Sequence, residues 1–284
     1  MRPLLRKALA LFGVTALVAI TVPLYPRFFG RKRLRFPYLT GSIAPEDYRA
    51  LSEKPGWSAA NVTVAPGIEL MGLVRRPGAS NAPWVLYYPG NDATQLRRGQ
   101  AFLSRLSGNQ DWGLAVFSYR GYDSSPGVPR VADLAADAPE ILHQLCQQEK
   151  ISAQRVNIVG FSIGTYMAVR AVGAAVQHNE RPASLTLLAS VDDIVMVRHS
   201  PWAGLDPGDD LQTGPFLGAV PAPVLVVQGG ADETLGGPVQ GQAVAKALGE
   251  RARYVELPGV GHNILIETDA ALAEVREFIA AHGK

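Results

Sequence analysis

The sequence predicts an α/β fold in which a mostly parallel sheet carries helices on both faces. Short apolar runs alternate along the chain with longer segments of helical periodicity, and strands that alternate with helices form parallel sheets. Apolar residues make up 47% of the 284 residues, which is enough to cover both faces of such a sheet. No internal repeat or low-complexity tract interrupts this alternation.

The predicted elements begin with an N-terminal hairpin whose strands, 61–65 and 68–75, flank Pro66-Gly67, a turn-forming pair. This hairpin would add an antiparallel edge to the sheet. The remaining strands are predicted at 84–88, 113–118, 155–159, 184–189, 223–228 and 253–257, and the helices at 94–106, 131–148, 163–176, 238–248 and 267–281. Together they predict one domain at 61–284, preceded by a linker at 36–60.

The N-terminal segment 1–35 differs in charge from the rest of the chain. It carries eight basic and no acidic residues, which leaves 19 basic and 25 acidic residues in the remainder. A mildly acidic body argues against nucleic acid as a partner. Within the segment, 8–24 is an uncharged apolar run about 25 Å long as a helix, close to the thickness of a bilayer core.

We interpret segment 1–35 as a membrane anchor with basic flanks. The alternative is a cleaved secretory signal, but no small-x-small cleavage site follows the apolar run. The basic residues on the two sides are nearly balanced in number, so charge does not predict the side of the membrane. Cys146 is the only cysteine, which excludes an intrachain disulfide and a zinc site built from several thiolates.

The segment 160–164, Gly-Phe-Ser-Ile-Gly, has the spacing Gly-x-Ser-x-Gly between an apolar run and a helix. This setting predicts a nucleophile elbow, a strand–turn–helix that presents a serine at the end of a strand. The competing interpretation is that Ser162 caps the helix. A serine hydroxyl needs a base, so the elbow predicts an acid and then a histidine later in the chain, each after a strand.

Asp232 and His262 meet this requirement of order. Asp232 follows the predicted strand 223–228 through Gly229-Gly230, and His262 follows the predicted strand 253–257. Asp192 and Asp193 are the alternative acids, because they follow the predicted strand 184–189, the one before strand 223–228. The other four histidines lie on or near helices, in the tail or in an irregular segment.

Two backbone N–H groups are predicted to bind the oxyanion. One is that of Ile163, at the start of the helix, where N–H groups are unpaired and the helix dipole favours negative charge. The other is that of Asn91, in the Pro-Gly-Asn loop after the strand 84–88. The alternative for this loop is a plain turn.

The order of these motifs resembles the α/β-hydrolase superfamily. Tyr-Tyr-Pro-Gly-Asn at 87–91, Tyr-Arg-Gly-Tyr at 119–122, the elbow, the acid and the histidine are most similar to membrane-associated serine hydrolases with His-Gly-Asn and Tyr-Arg-Gly-Tyr-Gly motifs. The resemblance covers 61–282 and implies an α/β-hydrolase fold. Two departures stand out, Pro89 in place of His and Asp123 in place of Gly. We expect the segment 119–122 to shape the loop rather than take part in chemistry.

The segment 191–222 is predicted to be a short cap insert over the site, with Trp202 as a substrate contact. Two functions remain open. The first is a serine hydrolase of carboxylesterase or lipase type that needs no cofactor or metal and acts on an ester, thioester or amide of a small-molecule or lipid acyl group. The second is a catalytically inactive hydrolase-fold module that binds while tethered to a membrane. An intact Ser, Asp and His in the right order favours the first.

Overall fold

The computed structural model describes residues 34–177, 180–198, 207–221 and 223–283. The chain from Arg35 onward is one unit by its contacts. The strands are β1 (Leu34–Pro37), β2 (Trp57–Ala65), β3 (Ile68–Arg75), β4 (Trp84–Tyr88), β5 (Gly113–Phe117), β6 (Val156–Phe161), β7 (Ser184–Leu188), β8 (Asp193–Val197), β9 (Asp209–Gln212), β10 (Val224–Gly229) and β11 (Ala252–Leu257). The helices are α1 (Pro45–Ser52), α2 (Gln95–Ser107), α3 (Val131–Glu149), α4 (Ile163–Gln177), α5 (Val239–Leu248) and α6 (Asp269–His282).

Eight strands form the main sheet in the order β11-β10-β7-β6-β4-β5-β3-β2. The six strands from β11 to β5 are parallel, and β3 runs antiparallel to both β5 and β2. The predicted N-terminal hairpin is therefore confirmed, and it forms the antiparallel edge. Because the carboxyl ends of six parallel strands meet at one edge, the loops after them converge on a single region.

The order of the strands explains why helices cover both faces. β5 lies on one side of β4 and β6 on the other. Since crossovers between parallel strands are right-handed, α2 lies on one face, and α3, α4 and α5 lie on the opposite face. The closing helix α6 packs against α2, and α3 packs against α4. The predicted α/β-hydrolase fold is thus confirmed as an architecture.

The central strands are buried along their whole length, which is why β4 and β5 are continuous apolar runs rather than alternating ones. Polar side chains are also buried in this core, and that of Asn157 is paired. Asn157 in β6 donates from its amide to the carbonyl of Trp84 at 3.2 Å and accepts from the hydroxyl of Ser184 at 2.7 Å. A buried polar side chain is tolerated in the core when its hydrogen bonds are satisfied in this way.

The segment 36–60 is not a linker, which corrects the prediction from sequence. It contains the end of β1, all of α1 and the start of β2, and it buries Tyr38, Leu51 and Trp57. Proline and basic residues early in this stretch suggested a connector. The apolar side chains that it buries instead make it part of the domain.

The predicted cap insert, 191–222, supplies β8, β9 and a 3₁₀ helix at Gly214–Ala219. β8 and β9 form a three-stranded sheet with β1 in the order β1-β8-β9. Trp202, the predicted substrate contact, lies outside the described residues. So does the predicted anchor helix at 8–24. Within the described ranges, no helix combines the length and apolar character needed to cross a bilayer.

Candidate active site

Ser162 occupies a sharp turn between β6 and α4. Its φ of 54° lies in the left-handed region, which residues other than glycine rarely adopt. Its N–H donates to the carbonyl of Leu188 at 2.9 Å, and its carbonyl accepts from the N–H of Thr165 at 2.9 Å. The surrounding hydrogen bonds hold this strained backbone, as is common at functional sites.

The two glycines of the motif are required by close backbone approaches. A Cβ at Gly160 would lie 2.5 Å from the carbonyl oxygen of Gly164. A Cβ at Gly164 would lie 2.0 Å from the carbonyl oxygen of Tyr88. These contacts are shorter than van der Waals distances, so only glycine fits on either side of Ser162.

The structure brings the three predicted catalytic side chains together. Oγ of Ser162 lies 3.0 Å from Nε2 of His262, and Nδ1 of His262 lies 2.7 Å from Oδ2 of Asp232. The Asp232 side chain is fully buried, and His262 and Ser162 are 9% and 7% exposed. With the proton on Nδ1, the ring donates to the carboxylate and leaves Nε2 free to accept from the hydroxyl.

The loops that carry Asp232 and His262 are joined to each other by the backbone. Gly230 N–H donates to the carbonyl of Leu257 at 2.8 Å, and Ala231 N–H donates to the carbonyl of Val260 at 3.0 Å. A Cβ at Gly229 would lie 2.3 Å from that Val260 oxygen. The glycine pair before Asp232 therefore allows the acid loop to lie directly on the histidine loop.

Gln228 also binds Asp232, and sequence reasoning did not single it out. Its side-chain amide donates to Oδ2 of Asp232 at 3.0 Å, the oxygen that His262 also reaches. The N–H of Leu235 donates to Oδ1 at 3.1 Å. Three donors thus surround the buried carboxylate and fix its orientation. Burial of a polar side chain at the end of a strand, directly before the acid loop, is the signal that could have found Gln228.

The alternative acids take other positions. The backbone N–H of Asp192 donates to the side-chain oxygen of Gln240 at 2.8 Å, and the carboxylate of Asp192 lies near Gly214. Burial raises the pKa of Asp192, and the nearby Asp193 raises it further. The carboxylate within hydrogen-bonding distance of His262 is that of Asp232.

The predicted oxyanion loop lies against the elbow. A Cβ at Gly90 would be 3.4 Å from Cβ of Ser162 and 2.8 Å from the ring of Phe161. Ile163 is the first residue of α4, where an N–H has no partner within the helix. The backbone N–H of Asn91 donates to none of the described residues. Both groups border the same cleft as Ser162.

The segment 119–123 holds this loop in place. The hydroxyl of Tyr119 donates to the carbonyl of Pro89 at 2.8 Å, and the hydroxyl of Tyr122 donates to Oδ1 of Asn91 at 2.8 Å. Gln95 connects the two segments, because its amide donates to the carbonyl of Gly90 and its oxygen accepts from Tyr119 N–H, each at 2.9 Å. The motif shapes the loop through these contacts.

Pro89 and Asp123, the two departures from the motifs that the sequence resembles, form structural contacts. Pro89 offers only its carbonyl, which accepts from Tyr119. Asp123 adopts a φ of 45°, the left-handed conformation in which glycine is most common, and its Oδ2 accepts from the N–H of Leu96 at 2.7 Å. The carboxylate thereby satisfies an N–H in the first turn of α2. Burial raises the pKa of Asp123 to about 6.

A cleft of about 150 Å³ opens at Ser162. Apart from the site residues, its walls are mostly apolar. They include Phe36, Leu39, Phe161, Ile194, Leu235 and Ile266. Such walls suit a hydrocarbon group of a substrate rather than a charged one.

One wall of the cleft comes from the segment after β1. Leu39 N–H donates to Oδ1 of Asn91 at 2.8 Å, and the Asn91 amide donates to the carbonyl of Pro37 at 2.7 Å. Tyr38 N–H donates to the carbonyl of Val197 in β8, and its hydroxyl donates to Asp209 at 2.9 Å. Asn91 therefore contributes its side chain to the cleft wall as well as a candidate oxyanion donor.

A charged pair, Asp92 and Arg98, borders the cleft. The guanidinium of Arg98 donates to Asp92, and it also lies 3.7 Å from Glu267. Burial acts to raise the pKa of Asp92, but the hydrogen bonds from Arg98 and Thr94 outweigh it and lower the pKa. Arg98 is thus already neutralised by carboxylates. Across the described part of the chain, no group of three or more His, Cys, Asp or Glu side chains is placed to hold a metal ion.

Solved structures share this fold over most of their length. The esterase PF2001 of Pyrococcus furiosus matches with a TM-score of 0.64 and 15% identity, covering 90% of this chain and 99% of its own. A membrane phospholipase A, a bacterial virulence factor, matches with a TM-score of 0.60 and 18% identity over 99% of both chains. The protein has the α/β-hydrolase fold.

The uncharacterized protein Rv2307c of Mycobacterium tuberculosis (strain ATCC 25618 / H37Rv) is 33% identical over 282 residues, covering 96% of this chain and 95% of the relative. The uncharacterized protein MT2364 of strain CDC 1551 / Oshkosh matches over the same extent at the same identity. The chain belongs to the family of these mycobacterial proteins. No family model matches it.

Proposed function

We propose that the protein is a serine hydrolase that cleaves carboxylic esters through an acyl-Ser162 intermediate. The observation that carries this proposal is the hydrogen-bonded series from Ser162 through His262 to Asp232, with distances of 3.0 and 2.7 Å. The esterases among the structures that share the fold support an ester as the substrate. The mostly apolar cleft supports a hydrocarbon acyl or alcohol group.

The first half of the reaction forms the acyl-enzyme. His262 Nε2 accepts the proton of Ser162 as Oγ attacks the ester carbonyl, which gives a tetrahedral oxyanion. The N–H groups of Ile163 and Asn91 stabilise the negative oxygen. The intermediate collapses, the carbon–oxygen bond to the alcohol breaks, and the imidazolium returns its proton to the leaving alcohol.

The second half returns the free enzyme. A water molecule attacks the acyl carbonyl while His262 accepts one of its protons, and the second tetrahedral intermediate releases the carboxylic acid and restores Ser162. Asp232 remains ionised throughout, holds the ring in the required tautomer and stabilises the imidazolium. This sequence uses only side chains and backbone groups of the chain, without a cofactor.

A fluorophosphonate probe tests the proposal directly. Phosphonylation of the folded protein and peptide mapping should locate the adduct on Ser162, and Ser162→Ala should abolish it. Ser104→Ala, which removes a helix serine outside the site, is the matched control and should label as the original protein does. Failure of the folded protein to label would favour the alternative of an inactive binding module. Hydrolysis of matched esters, thioesters and amides over a series of acyl lengths would then define the bond cleaved.

A further inference from the structure

The large aliphatic side chains that are exposed share one face of the described structure. They are Leu39, Val128, Val239 and Ile264, which are 44%, 59%, 64% and 56% exposed. A single exposed aliphatic residue is ordinary and needs no explanation. What distinguishes these four is their common position in the fold.

Topology places these residues at the carboxyl edge of the sheet. Val128 lies between the carboxyl end of β5 and the start of α3, Val239 begins α5 after β10, and Ile264 follows β11. Because β5, β10 and β11 are parallel, the loops after them lie at the same edge. Leu39 borders the cleft itself. We name these four residues the aliphatic rim.

The cleft lies at the same edge as this rim. Asn263 borders the cleft and immediately precedes Ile264, and Leu235 borders it in the loop that leads to Val239. Exposed aliphatic side chains thus share the carboxyl edge of the sheet with the cleft, whose walls are mostly apolar. A surface of this kind suits a substrate that arrives from an apolar phase.

The path of the chain favours a lipid bilayer as the occupant. The described structure starts at β1, and the segment after β1 forms a wall of the cleft. Nine residues, 25–33, separate β1 from the predicted apolar run at 8–24, and an extended chain of nine residues spans at most about 30 Å. Four of these nine residues are basic, and basic residues beside a membrane segment are attracted to anionic lipid.

We propose that the aliphatic rim docks on a lipid bilayer and that the cleft receives acyl esters directly from it. This inference rests on the proposed hydrolase function for the substrate, but the docking does not depend on catalysis. Val128, Val239 and Ile264 insert between the headgroups, while Leu39 lies at the passage into the cleft. The ester carbonyl of a bilayer lipid then reaches Ser162 without crossing bulk water.

Fluorescence quenching tests docking independently of activity. Single cysteines replace Val128, Val239 or Ile264 in the full chain and carry a bimane label. Burial raises the pKa of the native Cys146 thiol to about 12, so labelling at neutral pH favours the introduced cysteines. Phosphatidylglycerol–phosphatidylcholine vesicles that contain nitroxide-labelled lipid should quench each rim label by about half. Ile151→Cys, on a partly exposed aliphatic residue at the opposite edge of the sheet, should remain unquenched.

Hydrolysis provides the second measurement, on the full chain reconstituted in the same vesicles. The triple variant Val128→Ser, Val239→Ser, Ile264→Ser should cleave a bilayer-resident long-chain ester about tenfold more slowly and a water-soluble short-chain ester at the original rate. Ile151→Ser should leave both rates unchanged. If neither ester is cleaved while the rim labels are quenched, the proposed function fails and the docking stands.

Three results would overturn the docking. The rim labels could remain as bright as the Ile151→Cys label in the presence of nitroxide lipid. The triple variant could lose both activities equally, which would make the rim part of the site rather than a docking surface. The chain could form dimers in detergent that the triple substitution abolishes, which would make a second copy the occupant.

Discussion

Gln228 donates a hydrogen bond of 3.0 Å to the same oxygen of Asp232 that His262 reaches at 2.7 Å. Gln228, Asp232 and His262 are all buried, so water does not compete for these two hydrogen bonds. This arrangement makes Gln228 a positioning residue, because it acts on the imidazole only through the carboxylate. The orientation of the Asp232 carboxylate therefore depends on the uncharged side chain of Gln228.

Gln228→Met tests this dependence. Removing the donor deprives the buried carboxylate of one of three hydrogen bonds, so kcat should fall roughly tenfold with little change in KM. Gln242→Met is the control, since Gln242 hydrogen bonds to the exposed Glu256 outside the site. An unchanged kcat together with a lower unfolding free energy would show that Gln228 is only structural.

The three proposed catalytic residues should behave as a unit. Ser162→Ala and His262→Ala should each lower kcat by a factor on the order of 10⁶, and the double variant should be little worse than either alone. Asp232→Asn should cost about 10⁴, because the amide favours the wrong tautomer of the ring. Additive losses in the double variant would contradict a shared mechanism.

Gly164→Ala should disrupt the elbow more than any other single methyl group added there. The new Cβ would lie 2.0 Å from the carbonyl oxygen of Tyr88, so α4 must move away from β4. We expect a loss of unfolding free energy of about 3 kcal/mol and at least a tenfold loss of activity. Gly218→Ala is the matched control, because a Cβ there meets no atom within 4 Å. Urea denaturation and fluorophosphonate labelling would measure the two effects.

Asp123 should make stability depend on pH. Its pKa is raised by burial to about 6 in the folded protein, above its ordinary value of 3.8, so the folded state binds more protons between these values. The contribution of this group to the unfolding free energy should therefore fall by roughly 3 kcal/mol as pH rises from about 4 to 6. Above pH 6 this contribution should stay low.

Asp123→Asn isolates this contribution. Asparagine keeps an oxygen for the N–H of Leu96, tolerates the positive φ and never ionises. The difference in unfolding free energy between variant and original protein should grow in favour of the variant as pH rises through the same interval. Chemical denaturation at a series of pH values measures it. A difference that is constant from pH 4 to 7 would contradict the raised pKa.

The predicted anchor is testable by mass and by extraction. If 8–24 spans a bilayer as an uncleaved helix, the full-length chain should remain in membranes after washes with high salt and with carbonate. Intact mass should include Met1 or the residue after it. A carbonate-soluble protein that begins near Tyr25 or later would instead show a cleaved signal.

Local patterns were enough to predict that Ser162, Asp232 and His262 lie together in the fold. Ser162 lies between an apolar strand and a helix, and Asp232 and His262 each follow a strand, so chain order alone brought them to one edge of the sheet. The hairpin and the central strands followed from apolar runs of the same kind. These features depend on residues close together in sequence.

The missed features depend on residues far apart in sequence. The four-residue β1 has no pattern of its own, and it forms a strand because β8 lies beside it. The contribution of Asn91 to the cleft wall arises from bonds to Pro37 and Leu39, more than 50 positions earlier. Propensity and periodicity carry no information about such distant pairings. Gln228 differs, because it lies only four positions before Asp232 and its burial at the end of β10 is a local signal.

The wall formed after β1 has a consequence for biosynthesis. Tyr38 leaves the ribosome early, yet its backbone partner in β8 is Val197 and its hydroxyl partner is Asp209, 171 positions later. The first strand of the described chain therefore gains its strand partner only after β2 to β7 of the main sheet have been synthesised. A nascent chain halted before β8 would therefore carry β1 without its strand partner, and the wall of the cleft that follows β1 would lack its contact with Val197.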